Sequence, residues 1–212
     1  PISLWYVFGK NDILCRERSG KDLMKIRKND IFLYGRKMLF QMLEILYPRR
    51  CAVCDEIEVT GKGICPLCKD KVHVAGEPAC KKCGKPLVDE RKEFCTDCGK
   101  KHHVYTQGKA VFVYEGGIRN SMYRFKYGNK REYAEFYANA AVEKYGVWLN
   151  KIKAEVLIPI PMYSRKKRLR GYNQAEVFAR ELGRKAGILV DEHLVRRVRN
   201  TIPQKELNES QR

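Results

Sequence analysis

The 212-residue sequence lacks any apolar run that approaches the roughly 20 residues of a membrane-spanning helix. Its strongest apolar stretch, residues 156–162, is short and contains two prolines. The opening residues, PISLWYVFGKNDILC, soon become charged and contain no small-residue cleavage site, which excludes a secretory signal. We therefore expect a cytoplasmic protein without a membrane span.

Acidic residues are scarce relative to basic ones. The sequence has 25 Asp and Glu against 43 Lys and Arg, which gives a net charge of +18. Such an excess favours a polyanionic partner, whether nucleic acid, a phosphorylated metabolite or an anionic membrane. Apolar residues make up 44% of the sequence, which argues against wholesale disorder, and the length of 212 residues is enough for one ordinary domain and a small one.

Cysteine is concentrated in one region. Eight of the nine cysteines form four C-x-x-C pairs, and only Cys15 lies outside them. The paired residues are Cys51, Cys54, Cys65, Cys68, Cys80, Cys83, Cys95 and Cys98. A two-residue gap lets both thiolates of a tight turn face one metal, and two such pairs complete a four-cysteine site. The pattern predicts two structural Zn²⁺ ions. The alternative is disulfide or redox use, which the lack of an export signal disfavours.

The way in which the pairs combine stays open at this level. The four pairs are almost evenly spaced, so sequential and interleaved sites fit equally. We favour sequential sites because each loop then closes locally at a lower entropic cost. His73, His102 and His103 could act as ligands, but four cysteines per site leave no vacancy for them. Gly84 and Gly99 each follow a second cysteine, where a residue without Cβ lets the backbone fold around sulfur.

Sequence patterns divide the chain into four segments. Residues 1–37 are an extension of unclear status, 38–48 a short helix, 49–103 a double zinc-ribbon module and 104–212 an α/β domain. In the last segment, strands at 110–114, 156–158, 188–190 and 194–195 alternate with helices near 118–125, 130–148 and 173–185. This alternation predicts a mostly parallel sheet. Asn173 and Glu176 predict the start of the last helix and Gly187 its end.

One segment has the composition of a phosphate site. EVLIPIPMYSRKKRLRGYNQAE, residues 155–176, contains a buried strand, a basic loop and a capped helix. Residues 151–170 contain seven Lys and Arg and one Glu, a local charge of +6. Ligands of open α/β sheets bind at the carboxyl ends of strands, and a helix N-terminus offers N–H groups to phosphate. A solvated basic loop or a nucleic-acid patch is the alternative.

Several motifs together resemble the ComF/GntX family of competence-associated proteins. They are LYPRRCAVC, the four C-x-x-C pairs, VFVYEGGIRNSMYRFKYGNKREYAEF, LIPIPMYSRKKRLRGYNQAEVFARELG and RVRNTIPQKEL. The resemblance covers about residues 38–212. It implies a zinc ribbon followed by a type I phosphoribosyltransferase-like domain, and a role in DNA uptake together with other uptake proteins.

The resemblance also implies a ligand and its contacts. The ligand would be phosphoribosyl pyrophosphate (PRPP) or a related phosphorylated sugar or nucleotide, with Mg²⁺ assisting departure of pyrophosphate. No catalytic residue is assigned. The implied substrate and pyrophosphate contacts are Pro159, Ile160, Pro161, Arg165, Lys166, Arg168, Arg170, Gly171, Tyr172, Asn173, Gln174, Thr201, Gln204 and Arg212.

The sequence departs from that family in one respect. It contains no strand followed by paired acids and a Thr/Gly-rich turn, the element that holds the ribose and its 5-phosphate. We therefore expect a C-terminally truncated domain that is not a competent transferase. A competing hypothesis is a zinc-ribbon protein that binds single-stranded DNA or RNA without catalysis, using aromatics such as Tyr123, Phe125, Tyr127 and Tyr172 near basic residues. A third is a zinc-stabilised interaction protein without a ligand pocket in use.

Overall fold

A computed structural model describes residues 42, 46–100, 103–201 and 208. The chain divides into two units, Pro1–Leu46 and Tyr47–Arg212. The predicted extension at 1–37 and most of the predicted helix at 38–48 lie outside the described residues. Met42 and Leu46, which belong to that predicted helix, are helical and exposed. The cysteine pairs and the basic segment all belong to the second unit.

The described part of the second unit contains six helices and two short strands. They are α1 (Pro66–Lys69), α2 (Thr96–Lys100), α3 (Gly116–Tyr127), α4 (Tyr133–Ile152), β1 (Val156–Leu157), α5 (Ser164–Arg170), α6 (Gln174–Ala186) and β2 (Leu189–Val190). The three helices predicted between 116 and 187 are all present. The prediction of a loop at 165–170 is wrong, because the segment SRKKRLR forms helix α5. Arg, Lys and Leu are good helix formers, and Gly171 ends the helix at a φ of +82°.

The cysteines lie in two modules that share one plan. We call residues 49–72 the first cysteine module and residues 79–100 the second cysteine module. Each contains an isolated antiparallel bridge, between Arg50 and Ile57 in the first and between Ala79 and Pro86 in the second. Each also ends near a short helix, α1 or α2, that contains its last cysteine. The bridge holds one C-x-x-C pair in a turn, and the helix holds the other.

The main hydrophobic core joins the first cysteine module to the helices. Ala52 of the module is buried together with Ile118 and Phe125 of α3. The buried residues of α4 and of the segment before α6 complete it: Tyr133, Ala134, Phe136, Tyr137 and Tyr172. Ile64 and Val72 of the module pack against the same cluster. The first module is therefore part of this core and is not an appendage to it.

The start of α6 is fixed by a side-chain cap, as its sequence predicts. Asn173 is 1% exposed, and its Oδ1 accepts a hydrogen bond from the N–H of Ala175 over 3.1 Å. Its Nδ2 donates to the carbonyl of Ile160 over 3.0 Å and to Glu176 over 3.2 Å. Gly187 ends the helix in the left-handed region at a φ of +69°. The cap therefore ties the turn before α5 to the first turn of α6.

The sheet is smaller than the sequence predicts. β1 and β2 pair in parallel, with Val156 opposite Leu189 and Leu157 opposite Val190, and α5 and α6 lie between them in the chain. This small parallel pair agrees with an α/β arrangement, but the remainder of the described unit is mostly helical. A larger phosphoribosyltransferase-like sheet is therefore not shown by the described residues.

Two of the predicted strands adopt other structures. Residues 110–114 are not part of the parallel sheet and run antiparallel to residues 73–75. The N–H of Ala75 donates to the carbonyl of Val111, and the N–H of Val113 donates to the carbonyl of His73, both over 2.9 Å. At 194–195 the chain bends. Oδ1 of Asp191 accepts hydrogen bonds from the N–H groups of His193 and Leu194, and these bonds form a turn. None of the described helices is long and apolar enough to cross a membrane.

Candidate metal centres and basic surface

The eight paired cysteines converge on two points. Their sulfur atoms form two clusters within which all atoms lie within 4.8 Å of one another. One cluster contains Cys51, Cys54, Cys65 and Cys68, and the other contains Cys80, Cys83, Cys95 and Cys98. The sites are therefore sequential, one in each cysteine module, as favoured by local loop closure.

The sulfur spacing fits a tetrahedral metal site. The sulfur atoms of Cys54 and Cys65 are 3.8 Å apart, and those of Cys83 and Cys95 are also 3.8 Å apart. A disulfide would bring two sulfurs to about 2.05 Å, whereas four thiolates around one zinc lie about 3.8 Å apart when each Zn–S bond is about 2.3 Å. Four soft sulfur donors per site suit Zn²⁺ and fill its coordination shell, so both sites are compatible with structural zinc.

Backbone N–H groups prepare one thiol in each cluster for metal binding. Burial tends to raise the pKa of Cys51, but N–H groups of its own turn and that of Cys65 in the second pair, at 3.4 Å, lower the pKa to about 7. The same balance lowers the pKa of Cys80 to about 6. Burial, followed by neighbouring thiols, raises the pKa of Cys68 and of Cys98 to about 12. The first cysteine of each cluster is thus the more acidic thiol, and metal binding releases protons from the thiols that are still protonated.

The residue after the first C-x-x-C pair is equivalent in the two modules. Asp55 and Gly84 both have positive φ angles, +69° and +75°. A side chain in this left-handed region costs about 1–2 kcal/mol, which glycine avoids. In the first module the carboxylate of Asp55 offsets this cost. Oδ1 of Asp55 accepts a hydrogen bond from the hydroxyl of Tyr133 over 2.6 Å and pairs with Lys130 over 2.7 Å.

These contacts shift the pKa values of Asp55 and Tyr133. Burial works to raise the pKa of Asp55, but Lys130 and Tyr133 outweigh it and hold that pKa below its ordinary value. Burial and the Asp55 carboxylate both raise the pKa of Tyr133. Arg124 of α3 also donates to the carbonyl of Val53. Helices α3 and α4 therefore bind the turn that contains the first cysteine pair.

The second cysteine module is held by the far end of α4. The indole of Trp148 donates to Oε1 of Gln107 over 3.2 Å, and Nε2 of Gln107 donates to the carbonyl of Lys81 over 3.1 Å. The ammonium of Lys109 lies 5.3 Å from the centre of the Trp148 ring. The hydroxyl of Tyr145 donates to the carbonyl of Ala110 over 2.7 Å. Residues 107–110 thus connect the second module to α4 through polar and cation–π contacts, whereas the first module shares the main core.

The structure brings together two basic segments that sequence analysis assigned to one phosphate site. Nζ of Lys166 on α5 donates to the carbonyl of Thr201 over 3.1 Å. Arg197 donates to the hydroxyl of the same threonine. Lys166 and Thr201 are 35 positions apart in the chain. Gln204 and Arg212, the remaining predicted members of this segment, lie outside the described residues.

The cations of α5 differ in how far they are neutralised. Nζ of Lys167 pairs with Oε2 of the buried Glu176 at 2.6 Å. Arg165 and Arg168 are exposed, and within the described part of the chain neither forms an ion pair. Pro159, before α5, is buried, whereas Ile160 is 77% exposed and Pro161 half-buried. We call Arg165, Lys166 and Arg168, together with the exposed segment at 196–201, the basic surface.

Other predicted contact residues build the junction between α5 and α6. Tyr172 is buried, and its hydroxyl donates to the carbonyl of Phe125. Asn173 is the cap of α6. Arg170 donates to Oε1 of Gln174 over 2.7 Å. Exposed Gly171 ends α5, and its carbonyl accepts from Arg131 over 3.1 Å. These residues position the basic surface.

Comparison with known proteins supports the metal centres. Residues 42–99 match the double zinc ribbon domain family. The matched segment contains both four-cysteine clusters. A search among curated proteins found no match, and a search among solved structures found none. The match to the double zinc ribbon leaves α3 to β2 outside it, so the resemblance of that part to phosphoribosyltransferases rests on sequence motifs.

Sequence reasoning missed a polar depression on the surface of the second unit. It lies on α3 and has a volume of about 670 Å³. Its lining residues are Tyr114, Gly116, Arg119, Asn120, Tyr123, Lys126 and Tyr127. Tyr123 and Tyr127 were noted in the sequence as aromatics near basic residues, but Tyr114, Arg119 and Lys126 were not. Tyr114 precedes α3, but Arg119, Tyr123, Lys126 and Tyr127 are spaced by three and four positions along it, which is the signal that groups them on one face.

Proposed function

We propose that the surface formed by α5 and residues 196–201 binds the phosphate groups of a phosphorylated ligand. The observation that carries the proposal is the 3.1 Å hydrogen bond from Lys166 to the carbonyl of Thr201, which joins two basic segments distant in sequence. Exposed arginines are suited to this role because a guanidinium can bind two phosphate oxygens at once. The resemblance to ComF/GntX proteins supports pyrophosphate as the group bound, with PRPP as the ligand of a complete form.

The proposal for Mg²⁺ is tied to the ligand. Glu176, a buried carboxylate, already pairs with Lys167, and the charged side chains of the surface are all cationic. This donor set does not suit Mg²⁺, which prefers oxygen ligands. Mg²⁺ would therefore arrive on the phosphates of the ligand. The residues of the basic surface would bind and orient the phosphates and offset their charge.

Calorimetry with inorganic pyrophosphate tests this function in the 212-residue chain. We expect binding that weakens about tenfold or more in Lys166→Ala/Arg168→Ala, because each lost charged contact costs about 1.5–3 kcal/mol. The matched control is Arg91→Ala/Lys92→Ala, which removes two exposed cations from the second cysteine module and should leave affinity unchanged. Equal weakening in both variants would indicate a response to net charge alone and would contradict the proposal. We expect no turnover of PRPP by this chain.

A second function, binding of single-stranded nucleic acid, is favoured by the charge. Eight thiolates and two Zn²⁺ ions would lower the net charge of +18 only to about +14. A protein of such charge releases counterions when it binds nucleic acid, so its affinity falls steeply as salt rises. Through the ComF/GntX resemblance, this function would extend to DNA uptake and its protein partners. Titration of an oligothymidylate at several salt concentrations tests it, and affinity independent of salt would contradict it.

A further inference from the structure

Three exposed tyrosines surround the polar depression on α3. The side chains of Tyr114, Tyr123 and Tyr127 are 62%, 65% and 57% exposed. The rings of Tyr123 and Tyr127 lie side by side, with their centres 5.1 Å apart. These rings do not contribute to the main core, whose α3 residues lie on the opposite face at Ile118 and Phe125. The fold therefore leaves a row of aromatic rings facing solvent.

The charged residues that line the depression are both positive. Arg119 and Lys126 line the depression, and no acidic residue lines it. The guanidinium of Arg170 lies 4.7 Å from the centre of the Tyr127 ring. Because Arg170 belongs to α5, the tyrosine row continues into the basic surface that we propose for phosphate binding. A polyanion that lies on α5 would reach the rings without crossing an acidic residue of the depression.

Rings alternating with cations match the chemistry of an unpaired nucleic-acid strand. Every base has a π-face that can stack on an exposed tyrosine, and each phosphate can pair with a neighbouring cation. The intervening Asn120 adds an amide that can donate to or accept from a base edge. A double helix hides its base faces, so such a surface favours a single strand.

We propose that the tyrosine row, residues Tyr114, Tyr123 and Tyr127, is a base-stacking platform for single-stranded nucleic acid. Arg119, Lys126 and Arg170 bind the phosphates of the same strand. The inference rests on the second function proposed above and names its contact surface. It assigns most of the base-dependent affinity to α3 and not to the double zinc ribbon.

Fluorescence anisotropy of the full chain tests the platform. The probes are a labelled oligothymidylate of about 15 nucleotides and an abasic strand of the same length, which has the phosphates without the bases. In Tyr123→Ala/Tyr127→Ala we expect affinity for oligothymidylate to fall about tenfold or more, and affinity for the abasic strand to stay unchanged. Tyr123→Phe/Tyr127→Phe should bind within about twofold of the wild type, because phenylalanine retains the stacking face.

The matched control is Tyr47→Ala, which removes a tyrosine that is 79% exposed and lies outside α3. Zinc content and melting temperature establish that each variant is folded. An Ala/Ala variant that binds oligothymidylate as tightly as the wild type would overturn the platform. So would a wild-type chain that binds both strands equally, although salt-dependent charge binding would then survive. A wild-type chain that binds neither strand would refute the nucleic-acid function itself.

Discussion

The hydroxyl of Tyr133 donates to Oδ1 of Asp55 over 2.6 Å, across 78 positions of the chain. Tyr133 is 1% exposed and opens α4, whereas Asp55 directly follows the first cysteine pair. One hydrogen bond thus connects the turn of the first cysteine pair with α4, a helix of the main core. The metal centre and the helical core are therefore expected to stabilise each other.

Tyr133→Phe should destabilise the protein by about 1–2 kcal/mol, because it removes a hydrogen bond to a charged group and leaves Asp55 with Lys130 alone. The measurement is the free energy of unfolding in urea at fixed zinc concentration. Tyr123→Phe is the control, since the Tyr123 ring is exposed and the change should be neutral. Equal stability of the two variants would refute this role for the hydroxyl.

Loss of the metal ion from the first module should disturb the fold more than loss of the ion from the second. Cys98→Ser should lower zinc content from two ions to one and leave most of the helical circular dichroism, because the second cysteine module is outside the main core. Cys68→Ser should also lose one ion but weaken the near-ultraviolet signal of the core tyrosines, because Ala52 and Ile64 pack among them. Equal loss of tertiary signal in both variants would contradict the integration of the first module.

Glu58 should make stability depend on pH. It is 4% exposed, and although burial works to raise its pKa, hydrogen bonds from Thr60 and from the N–H of Gly63 hold that pKa below the ordinary 4.5. The folded carboxylate therefore binds a proton less readily than the unfolded one. Its stabilisation is present above pH 4.5 and disappears as the pH falls through the lower folded value.

Glu58→Gln tests that prediction by comparison with the wild type. We expect a cost of about 1–3 kcal/mol at neutral pH, because a buried charge-assisted network is broken. The difference should shrink when the pH falls below 4.5. Unfolding free energies of both proteins along a pH series provide the measurement. A difference that stays constant over the series would show that the Glu58 charge is not responsible.

Two glycines after cysteines in the second module should respond in opposite ways. Gly84 has a φ of +75°, and an added Cβ would lie 2.7 Å from the backbone nitrogen of Ala110. Gly84→Ala should therefore cost about 2 kcal/mol or more. Gly99 lies in α2, where an added Cβ meets nothing within 4 Å, so Gly99→Ala should be neutral or stabilise by up to about 1 kcal/mol. The measurement is the melting temperature of each variant. A fall for Gly84→Ala without a fall for Gly99→Ala would confirm the prediction, and equal changes would contradict it.

The cysteine spacing predicted the metal sites because ligand geometry is local. Two residues between thiols determine a turn, and short loops favour sequential pairing, so both clusters followed from the sequence. The glycine rule was only half right. Gly84 does need a left-handed backbone, but Gly99 is helical, and Asp55 occupies the left-handed position in the first module. Contacts with Tyr133 and Lys130 explain why Asp55 occupies this position. These contacts are distant in sequence, so the cysteine spacing within the module could not predict them.

Amphipathic periodicity predicted α3, α4 and α6, and the cap at Asn173, since these depend on neighbours within one or two turns. Strand pairing is non-local, and the prediction failed there. Residues 110–114 have the composition of a strand, but composition does not identify a partner. The charge of SRKKRLR suggested a loop, although its residues favour a helix. The phosphate surface remains a prediction, supported by the contact between Lys166 and Thr201.

The backbone pairing of residues 73–75 with 111–113 makes the two halves of the double zinc ribbon topologically unequal. The segment with the second cysteine cluster begins after Ala75 and ends before Val111. These two residues are joined by a hydrogen bond of 2.9 Å from the N–H of Ala75 to the carbonyl of Val111. The second zinc site is thus an insertion closed at its base. A short linker across that gap would replace it without breaking the path of the remaining chain. Insertions of this kind can be lost, exchanged or enlarged independently of the scaffold that carries them.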